Sequence, residues 1–128
     1  MTDNDLGKSF EDIKRELARA DRLLNEAADF VRPRAANDPH IILRFGQLRA
    51  RLHAAEGLLA RAVRLAGTSD ATEATVNVST IEARAFTGDL VAEINGQLTA
   101  WCASVPNHRN YYHVGNYYLK DNTSDLVR

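Results

Sequence analysis

The sequence predicts an all-α protein, an antiparallel up-down four-helix bundle of three long helices and a short C-terminal one. Apolar residues recur at steps of three and four over long stretches, the signature of helices that each bury a stripe. The connectors between those stretches are short, which favours antiparallel neighbours over long crossovers. At 128 residues the chain is long enough for one domain with a real core. Residues 1–128 are therefore expected to form a single helical-bundle domain, with 1–8 and 120–128 as loose termini.

The first helix is predicted to begin at Ser9, where SFED combines an N-cap hydroxyl with acid in the first turn. Its apolar stripe runs Phe10, Ile13, Leu17, Ala20, Leu24, Ala27 and Val31. Pro33 should end it by disfavouring helical geometry in Arg32. RPRAAND then connects to the second helix, for which Asp38 and Pro39 supply a cap and a first-turn proline.

That second helix carries the clearest pattern. Ile41, Phe45, Leu48, Leu52, Ala55, Leu59, Ala62 and Ala66 form a heptad-like seam, and Gly67 supplies a stop. Leu58, Val63 and Leu65 widen the stripe, as a helix with several neighbours requires.

TSDATEATVNVST pulls toward strand through its threonines and valines, yet its capping residues and the downstream pattern favour helix. A third helix is expected from about Asp70 to Ala103. It has two apolar stripes, Val78, Ile81, Ala85 and Ala92 against Phe86, Leu90, Ile94, Leu98 and Trp101, which implies burial on two sides. Gly88 and Gly96 are read as close-packing points or a kink. Pro106 ends the element, a short fourth helix is expected over about Asn107–Leu119, and the tail DNTSDLVR is expected to be loose.

A net charge of -1 with 26% charged residues gives no global field that would draw nucleic acid or an anionic membrane. MTDNDLGKSF lacks the basic start and apolar core of a signal peptide, and no apolar run is long enough for a membrane span. A soluble, cytoplasmic protein is expected, in keeping with one cysteine, Cys102, which reads as a packed thiol.

Chemistry concentrates in VPNHRNYYHVGNYYLK, which holds all four tyrosines and two of the four histidines. Tyr111, Val114 and Tyr118 can pack inward at helical spacing. Tyr112, His113 and Tyr117, with Arg109, can instead line a cleft. There histidine would supply acid-base chemistry and a phenol would stabilise an oxyanion. A protein interface is a third use of such residues. On the second helix His40, Arg44, Gln47 and Arg51 form one polar ridge and Arg49, His53 and Glu56 another, patterns typical of solvated faces or i,i+4 pairs. No spacing suggests a metal site.

DPHIILRFGQLRARLHAAEGLLARA and YYHVGNYYLK resemble the C-terminal helical domain of the acyl-CoA dehydrogenase superfamily. They are most similar to its flavin-dependent monooxygenase branch, the desulfurisation and sulfone-oxidising enzymes. ADFVRPRAAND and STIEARAFTGDLVAEINGQL fall where that domain's first helix ends and its third lies. The N-terminal and middle domains of those enzymes have no counterpart in these residues. Nor does the stretch rich in His, Arg, Thr and Trp that precedes the proline matched by Pro106.

The resemblance implies a bundle that acts by association, as a homodimer or as an accessory subunit completing the flavin and substrate site of a flavoprotein oxidoreductase. It implies no cofactor on the isolated chain, FAD or FMN entering only with a partner. Arg34 matches the family's flavin-phosphate arginine, and His108, Arg109 and Arg44 join it as candidate ligand-binding residues. Tyr112, His113 and Tyr117 are the catalytic candidates. The alternative is a small flavin-free enzyme that reuses the cavity for an isomerisation or cyclisation of a small molecule.

Overall fold

The computed structural model describes residues 3–35 and 37–104, with the side chains of 5–33 and 37–101. Among these residues it is all-helical: α1 spans Asp3–Ala35, α2 Pro39–Ala66 and α3 Glu73–Ser104. The bundle expectation holds at that level. The expected fourth helix lies outside the described residues.

The chain divides into two compact units, residues 1–91 and 92–128. In the first, α1 and α2 run antiparallel, because Arg49 on α2 meets Asp21 and Asn25 on α1 across a short connector. The leading part of α3 meets α1 through Arg84, which reaches Ser9. In the second unit, Ile94, Leu98 and Trp101 are buried.

The stripe expected on α1 is buried from Ile13 through Leu17, Ala20, Leu24 and Ala27 to Val31, with Leu23 added to it. The start of α1 differs from expectation: the helix begins six residues before Ser9, and residues 3–8 are helical rather than loose. Half-buried Leu6 extends the stripe by one turn ahead of Phe10, and Asp5 places negative charge near the positive end of the helix dipole. Ser9 is an interior helical residue, and its hydroxyl serves another helix.

The other end of α1 also departs from expectation, since Pro33 lies inside the helix. Proline removes one backbone donor, and here only two residues follow, so little downstream helix depends on the missing bond.

The seam of α2 is confirmed at its centre, where Leu48, Leu52, Ala55 and Ala62 are buried. Ala66 is exposed at the helix end. Asp38 is the N-cap, its Oδ1 accepting from the backbone N–H of His40 at 2.9 Å and of Ile41 at 3.4 Å, with Pro39 in the first turn. Gly67 closes the helix without a left-handed turn, its N–H donating to Val63 and Arg64 carbonyls.

The third helix starts at Glu73, three residues later than expected. Thr72 sets the boundary: its Oγ1 accepts from Thr75 N–H at 3.1 Å, the bond of an N-cap to N3. Residues 67–72 form the turn before it.

The faces of α3 depart furthest from the sequence reading. Of the two predicted apolar stripes, only the second is covered: Leu90, Ile94, Leu98 and Trp101 are buried and Phe86 is half-buried. Val78 and Ile81 are 54% and 62% exposed, and Ala85 and Ala92 are exposed too. The helix instead buries Ser79, Thr80, Ala83 and Thr87 in its leading half. Nor are Gly88 and Gly96 close-packing points, since a Cβ at either would meet nothing within 4 Å. Both lie on exposed faces, which removes the steric reason for a glycine there.

Candidate functional site

Most residues nominated by the sequence lie outside the described ones: His108, Arg109, Tyr112, His113 and Tyr117. Arg34 falls in the last turn of α1, with its side chain also outside the described set. Arg44 is half-buried on the opening turns of α2, donating to Gln47 Oε1 at 3.3 Å, a pairing within its own helix. Arg49, assigned to a polar ridge, forks between Asp21 and Asn25 Oδ1, the latter at 2.7 Å, and so ties α2 to α1. His40 and His53 are exposed.

The structure assembles a different group of residues. A cleft of about 350 Å³ opens between α1 and α3 within residues 1–91, lined by Asp12, Ile13, Arg15, Glu16, Arg84, Thr87 and Gly88. Helical spacing explains the α1 side: Asp12, Arg15 and Glu16 stand three and four apart on one face, beside Ile13, which belongs to the buried stripe. On α3, Arg84, Thr87 and Gly88 share the corresponding face.

Three features give the cleft its chemistry. Arg84 is held in place by a hydrogen bond from Nη2 to the Ser9 Oγ at 2.9 Å, and Ser9 is itself buried. A guanidinium has five N–H donors, so one neutral bond leaves most of its capacity for another group. Asp12 accepts from Arg15 at 3.5 Å, a long and solvent-screened ion pair, while Glu16 makes no ion pair among the described residues. Thr87 also lines the cleft but is only 2% exposed, and its Oγ1, closed off from solvent, has no hydrogen-bond partner.

That last feature is energetically costly. A buried hydroxyl without a partner carries a desolvation penalty of about 1 to 3 kcal/mol. Thr80, one turn earlier, avoids it by donating to the Val76 carbonyl at 2.8 Å. Among the described residues no group of three or more His, Cys, Asp or Glu side chains could hold a metal ion.

No family model, curated protein or solved structure matches this chain. Among the described residues no helix is long and apolar enough to cross a membrane.

The sequence reading missed Ser9, Glu16, Arg84 and Thr87 as members of a site. The local context of Ser9 imitates a helix cap. The others are common residue types in ordinary helical positions, and only the packing of α1 beside α3 unites them. The one available signal was the run of small polar residues Ser79, Thr80 and Thr87, whose helical spacing matches a buried face.

Proposed function

We propose that this chain is an association module, a helical bundle that works by pairing with a second copy of itself. One observation supports the reading most directly. Ala74, Val78, Ile81 and Ala85 follow one another at steps of four, three and four on α3, all exposed and none charged. That spacing is the seam through which two helices pair by interlocking side chains. A net charge of -1 per chain sets little repulsion against a second copy.

The acyl-CoA dehydrogenase-like reading of the sequence favours the same conclusion, because bundles of that family assemble through their helices. It also supplies the accessory form of the proposal, in which the partner is a flavoprotein. The flavin-free enzyme reading draws no support from the described residues, since its candidate acid-base groups lie beyond them.

Light scattering coupled to size exclusion tests the proposal at micromolar concentration. A dimer is expected for the native chain and a monomer for Ile81→Glu, which places a charge in the middle of the seam. A native monomer would overturn self-association. An absorbance spectrum separates the accessory form: the chain alone is expected to be colourless, and flavin retained only on mixing with a flavoprotein would move the partner from a second copy to that protein.

A further inference from the structure

We infer that the exposed seam of α3 docks, antiparallel, on the outer face of α2 in a second copy of the chain, so that one two-fold interface holds two α2–α3 contacts. The inference rests on the self-pairing proposed above and goes beyond it by naming the face that receives the seam.

The side of α2 opposite its buried seam lacks the charges that a solvated helix face normally carries. Leu43, Gly46, Ala50, His53, Gly57 and Ala60 recur there at steps of three and four, all of them exposed, Leu43 at 62%. A Cβ at Gly46 or Gly57 would meet nothing within 4 Å, so packing within the chain does not ask for glycine at either position, although glycine weakens a helix interior. Glycine does admit the close approach of a neighbour. Val78 and Ile81 on α3 are exposed side chains of the kind that fill such a surface.

Charge names the occupant. α2 carries five arginines and one glutamate, whereas α3 carries one arginine, three glutamates and one aspartate. Two copies of α3 would set one acidic helix against another and leave Leu43 and its neighbours facing water. α3 against α2 joins opposite charges and covers both apolar faces at once.

The flanks of the two seams agree in detail. In an antiparallel pair, each flank of a seam faces the same flank of the partner helix. Glu82 and Asp89 directly follow Ile81 and Gly88, as Arg61 follows Ala60 on α2. On the other flank Arg84 precedes Ala85 and Glu56 precedes Gly57. Arg61 therefore faces acid, and Arg84, whose bond to Ser9 leaves further donors, faces Glu56. Glu56, Arg61, Glu82 and Asp89 are all exposed, and none makes an ion pair among the described residues.

Charge reversal in the full chain, read by light scattering over a dilution series, tests the assignment. Arg61→Glu with Arg64→Glu reverses the α2 face, and Glu82→Arg with Asp89→Arg reverses the α3 flank. All four positions are exposed, so helicity by circular dichroism should be retained. Each pair of substitutions should weaken dimerisation at least roughly tenfold, because like charges then meet. The chain carrying all four, whose net charge is that of the native chain, should recover dimerisation. A dimer that ignores the α2 reversal, or no recovery in the fourfold variant, would overturn the inference while leaving self-pairing in place. A native monomer would overturn both and leave the two faces to another occupant.

Discussion

The second helix and the leading half of the third follow opposite rules. Along α2 the large apolar residues of the seam are inside: Leu48 and Leu52 are almost fully covered, and the helix is capped at both ends by residues whose roles are local. Along α3 between Glu73 and Gly88 the large apolar residues Val78 and Ile81 are outside, while Ser79, Thr80 and Thr87 are inside. The same rule, hydrophobic spacing at steps of three and four, therefore locates the core on one helix and the solvent-facing side on the other. Periodicity shows which residues share a face. It does not show which face has a neighbour.

The strongest way to break this contrast is Leu52→Ala. If the α2 seam is the core, the substitution should cost about 2 to 5 kcal/mol in chemical denaturation, the range for leucine truncation in a packed interior. A change near zero would remove α2 as the reference helix. A smaller effect of opposite sign is expected from Thr87→Val, which replaces a buried hydroxyl lacking a partner by a methyl of similar shape. It should stabilise the chain by about 1 kcal/mol. A loss of stability would mean that the hydroxyl is satisfied in solution. The smallest effect belongs to Ile81→Ala, measured below the concentration at which chains pair. There it should shift stability by no more than about 0.5 kcal/mol, as for other surface substitutions. A loss comparable with that of Leu52→Ala would show that the α3 seam is covered within one chain.

The same contrast governs how much of the fold is legible in the sequence. The boundaries of α2 were legible because Asp38, Pro39 and Gly67 act within a turn of themselves. Ser9 misled for the complementary reason: its neighbours Phe10, Glu11 and Asp12 imitate a helix start, while its actual partner, Arg84, is 75 positions away. Pro33 looks like a terminator because the rule about proline is local, and its cost falls when so little helix follows. The cleft was not legible at all. Glu16, Arg84 and Thr87 have no diagnostic spacing, and the residues with the densest chemistry, from His108 to Tyr117, lie outside the described region.

The bond between Ser9 and Arg84 also bears on the order in which the chain folds. Joining Arg49 to Asp21 closes a loop of 28 residues, whereas joining Arg84 to Ser9 closes one of 75. Chain entropy alone makes the longer closure about 1 kcal/mol less favourable. The α1–α2 hairpin, with its short connector, is thus the natural first structure to form, and α3 docks on a surface already made. Because α3 contributes mainly small polar side chains to that docking in its leading half, it gains less from burial and should be the first helix to exchange its amide protons.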